Sequence, residues 1–153
     1  MHIRGYRKQD APQIAELFRR SVLAIGSRDY APEQLAAWAG SDADPARFHA
    51  RLGDGRLALV AEDGVLLAFG DLEADGHIDF LYAAPEVAGT GVASALYDGL
   101  EAAARERGFA RLYSEASEAA RRFFLKKGFT VLHRRDFAVR GVPIHNYAME
   151  KRF

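Results

Sequence analysis

The chain contains no cysteine. That absence excludes a disulfide framework, a thiolate metal site and a cysteine nucleophile together, and it fits a reducing compartment. Charge of either sign is not in excess: 21 basic and 21 acidic side chains cancel to a formal net charge of +0. The surplus of basic groups that a phosphate backbone demands is therefore missing, and nucleic acid is not expected as a partner. No run approaches the roughly 18 apolar residues of a membrane span. The opening Met1-His2-Ile3-Arg4 leads into polar residues instead of an apolar signal segment. A cytoplasmic protein without membrane contact is expected. No repeat, linker or low-complexity tract interrupts the 153 residues, and a 49% hydrophobic content suffices for a core without metal or disulfide staples. Residues 1–153 are expected to form one domain.

What is present is a change of hydrophobic period along the chain. Asp10 and Pro12 mark a helix start, after which Ile14, Leu17, Phe18, Val22 and Ile25 recur at helical spacing up to Gly26. Pro32 through Leu35 and Trp38 to Gly40 predicts a short helix, and Asp44-Pro45 opens another that carries Phe48 and Leu52. From Leu57 the pattern turns strand-like. Residues 57–61 and 65–69 flank Glu62-Asp63-Gly64, a hairpin signal. Ile78 to Ala83 reads as a strand ended by Pro85, and a glycine loop then feeds a helix with Val92, Leu96, Leu100 and Ala103 on one face. Ala110 to Tyr113 reads as a strand parallel to Ile78–Ala83, because a helical crossover joins them. Ser117 starts a helix closed by Gly128, and two last strands around Thr130–Leu132 and Ile144–Met149 turn at Gly141 and Pro143. The fold class is α+β with a mixed sheet.

The loop Ala88-Gly89-Thr90-Gly91-Val92-Ala93-Ser94 sits between strand and helix, where glycines let backbone N–H groups approach an anion at a helix N-terminus. A tight turn without ligand explains two glycines equally. No Gly-Lys-Ser/Thr follows, which excludes a Walker loop and leaves a dinucleotide fingerprint or a CoA pyrophosphate loop. Glu115 lies about 20 residues downstream, where a ribose-binding acid belongs in the first case. Against that reading, Ser94 replaces the last glycine, and the rest of the chain supplies a helix and a hairpin where further β-α-β units are needed.

Here the sequence resembles the GNAT superfamily of N-acetyltransferases, whose loop reads Gln/Arg-x-x-Gly-x-Gly/Ala between a central strand and a long helix. Residues 88–93 fit except at Ala88, where a side-chain contact near the pyrophosphate is lost. Tyr82-Ala83-Ala84-Pro85 is similar to the family's Val-x-Pro strand end. Ser117-Glu118-Ala119-Ala120 with Phe123-Phe124-Leu125-Lys126-Lys127-Gly128-Phe129 is similar to its Asn-x-x-Ala…Tyr-Glu-Lys-x-Gly-Phe signature. Ser117 stands where the family often has a pantetheine-contacting asparagine. Phe124 stands where a tyrosine often protonates the departing thiolate, so a phenol acid at that position is excluded. Trp38 near Tyr30-Ala31-Pro32-Glu33, the paired phenylalanines, the Gly141 turn and Met149-Glu150-Lys151 resemble a bacterial YafP-like subgroup of the superfamily.

The resemblance implies a GNAT fold: a mostly antiparallel sheet with a central splayed parallel strand pair flanked by helices. It implies acetyl-CoA as acyl donor, an amine acceptor and direct attack on the thioester without a covalent enzyme intermediate. Donor contacts fall on Leu81, Ala83, Gly89, Thr90, Gly91, Val92, Ala93, Ser94 and Ser117, with the Leu81 N–H stabilising the oxyanion. A protonated alkylamine, with pKa about 10.4, cannot attack, so a base is needed. Asp79 is the first candidate, because a carboxylate amid Ile78-Phe80-Leu81-Tyr82 is costly to bury without a task or partner; an arginine-paired sheet-face carboxylate is the plain alternative. His77 and Glu115 follow. Tyr147 or Tyr82 could replace the missing phenol or could simply pack. Trp38, Tyr30 and Phe48 could wall the acceptor pocket, or serve as core. No metal is implied. The losses at Ala88, Ser117 and Phe124 keep open a second class, a non-catalytic module binding acyl-CoA or a protein, and an edge strand at the C-terminal hairpin offers pairing in a homodimer.

Overall fold

The computed structural model describes residues 1–40 and 44–153. Strand β1 (His2–Gly5) leads into helix α1 (Ala11–Ile25). A single 3-10 turn, Lys8–Asp10, precedes it, with the Asp10 carboxylate accepting the Arg7 N–H at 2.8 Å, and Pro12 supplies a preset φ in the first turn of α1. Its buried stripe of Ile14, Leu17, Phe18 and Val22 follows the helical period read from the sequence. Helices α2 (Pro32–Gly40) and α3 (Pro45–Leu52) come next, the latter capped by Asp44, which accepts the Ala46 N–H at 3.0 Å. Strands β2 (Leu57–Asp63) and β3 (Val65–Leu72) form the expected hairpin, and Gly64 takes φ +73° at its tip. Strand β4 (Leu81–Ala83) precedes helix α4 (Val92–Glu106), strand β5 (Arg111–Ala116), helix α5 (Glu118–Lys126) and the long hairpin of β6 (Thr130–Val139) and β7 (Val142–Arg152).

The strands form two antiparallel sheets, ordered β1-β2-β3-β4 and β5-β7-β6. One hydrophobic core, with Phe18, Phe48, Phe69 and Phe80, lies between the first sheet and α1 to α3. A second, with Tyr97, Leu100, Leu112 and Phe124, lies between α4, α5 and the inner strands. Phe48 is therefore core and lines neither of the two cavities described below. Among the described residues no helix is long and apolar enough to cross a membrane.

The parallel strand expected over Ile78–Ala83 is shorter as a ladder and touches β5 only at its start. The two sheets meet in one parallel bridge, His77 to Tyr113, with the Ile78 N–H donating to Tyr113 O at 2.9 Å and the Tyr113 N–H to Gly76 O at 3.0 Å. Gly76, at φ +95°, permits this approach: a Cβ there would lie 2.3 Å from the Arg111 carbonyl oxygen. Beyond the bridge the Ser114 hydroxyl takes over, donating to Ile78 O at 2.7 Å, and the strands part.

Residues 78–80 leave the regular ladder because a side chain holds them. Asp71, fully buried at the end of β3, accepts the N–H groups of Asp79 at 2.9 Å and Phe80 at 2.7 Å through Oδ1. Two successive N–H groups thus point the same way, as in a bulge, and the facing of the chain is reset before β4.

Candidate active site

The reset facing decides what β4 offers. Ala84 donates to Leu67 O at 2.8 Å and Asp71 to Phe80 O at 3.1 Å, which makes these the hydrogen-bonded pairs of the β3–β4 register. The intervening residues Leu81 and Ala83, opposite Gly70 and Ala68, are non-hydrogen-bonded positions, so their main-chain groups face away from β3 and into the gap toward β5.

That gap opens into a cavity of about 270 Å³. Leu81, Ala83, Gly89, Ala93 and Ser117 line it, together with Phe124 from α5. Gly89 and Gly91 hold φ of +76° and +91°, and open space surrounds the position of a Cβ on either, so the loop backbone is accessible at the N-terminus of α4. The first N–H groups of that helix have no carbonyl of their own helix to bind, and the helix dipole adds positive potential.

Other residues expected at the site lie elsewhere. The Thr90 hydroxyl donates to Val87 O at 2.6 Å, shaping the loop from within. The Val92 side chain is buried with Leu96 against β2 and β3, and Ser94 Oγ sits 2.6 Å from Lys127 Nζ; these positions can offer main-chain groups but their side chains do not line the cavity. Lys127 also bonds Asp98 at 2.9 Å, which ties α5 to α4. Ser117 caps α5 by accepting the Ala120 N–H at 3.3 Å.

Tyr147, expected as an acid, is not brought to the site. It lies beside Arg121, whose guanidinium is 5.0 Å from its ring centre, and its hydroxyl bonds Glu118, which raises its pKa and makes it a poorer proton donor. It lines neither cavity. Tyr82 faces both cavities and stacks on Phe69 at 5.7 Å.

Among the described residues three carboxylates line the gap, Asp29, Asp79 and Glu115, and Asp29 is held by Arg122 at 2.8 Å. Asp79 lines it, and its Oδ2 accepts from Arg56 Nη1 at 3.0 Å, with Arg51 at 3.6 Å, which is the arginine-paired arrangement. The same Arg56 nitrogen lies 2.6 Å from Asp71, and Glu73 is 3.6 Å from Nη2. Asp71, Glu73 and Asp79 cluster as metal ligands would, but the Arg56 guanidinium already supplies the cation among them. Burial pushes the Asp71 carboxyl up to about 6 against the pull of Phe80 N–H and Arg56.

Glu115 belongs to a second chain of groups. His77 Nε2 lies 2.8 Å from Glu115 Oε1 and Nδ1 lies 2.7 Å from Glu73 Oε1. Burial by itself would lower the His77 pKa, but the two carboxylates outweigh it and raise the imidazolium to about 9. The hydrogen bond from His77 in turn holds Glu115 below the usual carboxylate range. Asp71, Arg56 and this linkage were not singled out from the sequence. The available signals were an aspartate ending the apolar run Leu66 to Gly70 and an arginine just before β2.

A second cavity, of about 220 Å³, adjoins the first. Tyr30, Trp38, Tyr82, Glu115 and Ser117 line both. The Tyr30 hydroxyl donates to His145 O at 3.0 Å and accepts the Glu118 N–H at 3.1 Å, and its ring meets Trp38 at 5.6 Å, edge to face.

An open strand edge and a glycine-opened helix N-terminus, set between two sheets in an α+β domain, define the acyl-CoA N-acyltransferase class of fold. Residues 27–151 match the family described as acetyltransferase (GNAT) domain, and the chain belongs to that family. It is 30% identical to the uncharacterized N-acetyltransferase YafP of Escherichia coli (strain K12), over 97% of this chain and 94% of that protein. A crystal structure of a GCN5-related N-acetyltransferase from Rhodopseudomonas palustris superposes with a TM-score of 0.92 at 37% identity, covering 99% of this chain and 95% of the other. The PaiA N-acetyltransferase of Thermoplasma acidophilum, solved in complex with coenzyme A, superposes with a TM-score of 0.79 at 20% identity, covering 99% and 98%.

Proposed function

We propose that the protein transfers an acetyl group from acetyl-CoA to a primary amine, with both substrates bound together and the amine nitrogen attacking the thioester carbonyl directly. The observation that carries this reading is the main-chain edge of Leu81 and Ala83, turned into the gap at the mouth of which the Gly89 loop lies. An extended donor carrying amides can pair with that edge as an added strand. The backbone N–H groups from Gly89 to Ala93 then meet its pyrophosphate at the N-terminus of α4. CoA in the PaiA complex supports the same use of the fold.

In the reaction the N–C bond forms, the C–S bond breaks and one proton leaves the amine. The Leu81 N–H donates to the oxygen on which negative charge develops, an effect on the order of a few kcal/mol in a water-poor site. Glu115 takes the proton, directly or through a water, because it is the carboxylate that lines both cavities. His77 steadies it. Asp79, clamped by Arg56, holds the turn into β4 and is the second candidate for the proton. With Phe124 beside the cavity and Tyr147 turned to Glu118, no phenol is assigned as acid; a thiolate with pKa about 8.5 departs readily next to a helix N-terminus. A cytoplasmic setting agrees with the absence of cysteine.

Calorimetric titration with acetyl-CoA, with NAD as control, tests the donor assignment. Saturable acetyl-CoA binding without NAD binding is expected. Absence of acetyl-CoA binding would overturn the reading in favour of a non-catalytic module.

A further inference from the structure

The second cavity carries an inference about the acceptor, which rests on the reading above. Half of the residues that line it are aromatic: Tyr30, Trp38, Tyr82, Phe137 and the imidazole of His145. They are held in place by one another, with the Tyr30 ring 5.6 Å from Trp38 and 5.4 Å from His145, and the Tyr30 hydroxyl tied at both its donor and its acceptor side. Only one carboxylate, Glu115, lines this cavity among the described residues, and it stands at the junction with the donor cavity. No lysine or arginine lines it among the described residues. Arg135 bonds the lining residue Asn146 at Oδ1, 3.0 Å away, and lies 5.3 Å from the centre of the Phe137 ring. Glu118 rests against His145 Nε2 at 3.5 Å without lining the cavity.

We infer that the acceptor is a small arylalkylamine: one primary amine on a short chain, with an aromatic ring and no carboxylate. Each part of that description answers a feature of the cavity. A ring can meet Tyr30, Trp38 and Phe137 edge to face or offset, the arrangements aromatic pairs prefer. The arriving ammonium is attracted by the ring faces and by Glu115, which brings the nitrogen to the junction with the donor. An amino acid would carry its carboxylate into a lining that holds no lysine or arginine among the described residues, a poorly compensated desolvation. A polyamine or aminosugar brings further ammonium groups, and among the described residues Glu115 alone lines the cavity as a carboxylate to meet them. A lysine side chain has no ring to use the walls. The volume of about 220 Å³ suits a small molecule.

The test measures CoA release with acetyl-CoA as donor and phenethylamine, tyramine, L-phenylalanine, spermidine and a lysine peptide as acceptors. Phenethylamine and tyramine are expected to exceed the other three by at least about tenfold in kcat/KM, the ratio that corresponds to one well-placed ring contact. Trp38→Ala is expected to raise KM for phenethylamine while the acetyl-CoA Kd stays unchanged. Phe137→Ala, at a position 37% exposed, should shift KM the same way. The inference is overturned if spermidine, the peptide or L-phenylalanine is the best acceptor. It is equally overturned if acetyl-CoA binds saturably and neither arylamine turns over, and in that case the donor assignment stands. Failure to bind acetyl-CoA at all would remove both.

Discussion

Asp71 and Phe80 are joined twice: the Asp71 N–H donates to Phe80 O at 3.1 Å, and Asp71 Oδ1 accepts the Phe80 N–H at 2.7 Å. The first bond is an ordinary ladder rung. The second, shared with the Asp79 N–H, replaces a rung by a side chain and turns the Leu81 main chain toward the gap. Asp71 Oδ2 also holds Arg56 at 2.6 Å, and the Arg56 side chain is only 8% exposed.

Asp71→Ala would therefore remove the shortest of the Arg56 contacts, with Asp54 at 2.9 Å and Asp79 at 3.0 Å still holding the guanidinium, and leave two N–H groups unpaired. A loss of roughly 2–5 kcal/mol is expected, from about 1–3 kcal/mol for each buried N–H left without an acceptor. Asp71→Asn keeps an accepting oxygen and should lose less, about 1–3 kcal/mol. In the folded Asn variant, acetyl-CoA affinity should fall, because the Leu81 edge is less firmly aimed. Urea unfolding and calorimetry measure both quantities; an Asp71→Ala protein as stable as the parent would rule the arrangement out as a determinant.

Much of this was legible in the sequence, and the exceptions share a physical reason. The stripe of α1, the Asp-Gly hairpin and the caps Asp44 and Ser117 are local signals, each complete within a few residues, and the structure repeats them. The Gly89 loop and the Leu81 edge were placed through the family resemblance. Asp71 could not be found that way, since its task is to hold Asp79 and Phe80 across a turn and Arg56 from just before β2. The choice between acid and packing residue at Tyr147 was not legible, because strand alternation fixes a face but not the neighbour that captures the hydroxyl; Glu118, on α5, does so.

The two carboxylate candidates can be told apart by rate. Glu115→Gln preserves shape and removes proton acceptance, so kcat should drop by about 10²-fold or more, the scale of a lost general base. Asp79→Asn, whose carboxylate lies against Arg56, should cost less in rate and more in stability. Steady-state kinetics on both variants decides it, and a larger rate loss for Asp79→Asn would return the base to that residue.

Gly76 is a third point of leverage. A Cβ there meets the Arg111 carbonyl oxygen at 2.3 Å, with φ at +95°, where a side chain is strained in any case. Gly64, at φ +73°, has open space around the same position. Gly64→Ala should cost about 1–2 kcal/mol from backbone strain, and Gly76→Ala should exceed it by roughly another 1–3 kcal/mol from the clash. Because the clash falls at the bridge from which β4 and β5 diverge, Gly76→Ala should also weaken acetyl-CoA binding. Equal melting shifts for the two variants would count against this account of the junction.

The His77 linkage gives stability a pH dependence of definite sign. Burial lowers the imidazolium pKa and the bonds to Glu115 and Glu73 raise it further than burial lowers it, to about 9, against 6.5 unperturbed. The folded state therefore binds this proton more tightly than the unfolded chain, and the stabilisation is full below pH 6.5 and fades as pH rises through about 9. Because Glu73 and Glu115 are partly exposed and screened by solvent, the loss across that window should be on the order of 1–2 kcal/mol. His77→Gln can still hydrogen-bond but cannot carry the charge, so its stability should be flatter over the same range. Chemical denaturation at intervals from pH 6 to 10 measures the slope for each protein. Parallel slopes for the parent and His77→Gln would show that the charge on His77 is not what joins Glu73 to Glu115.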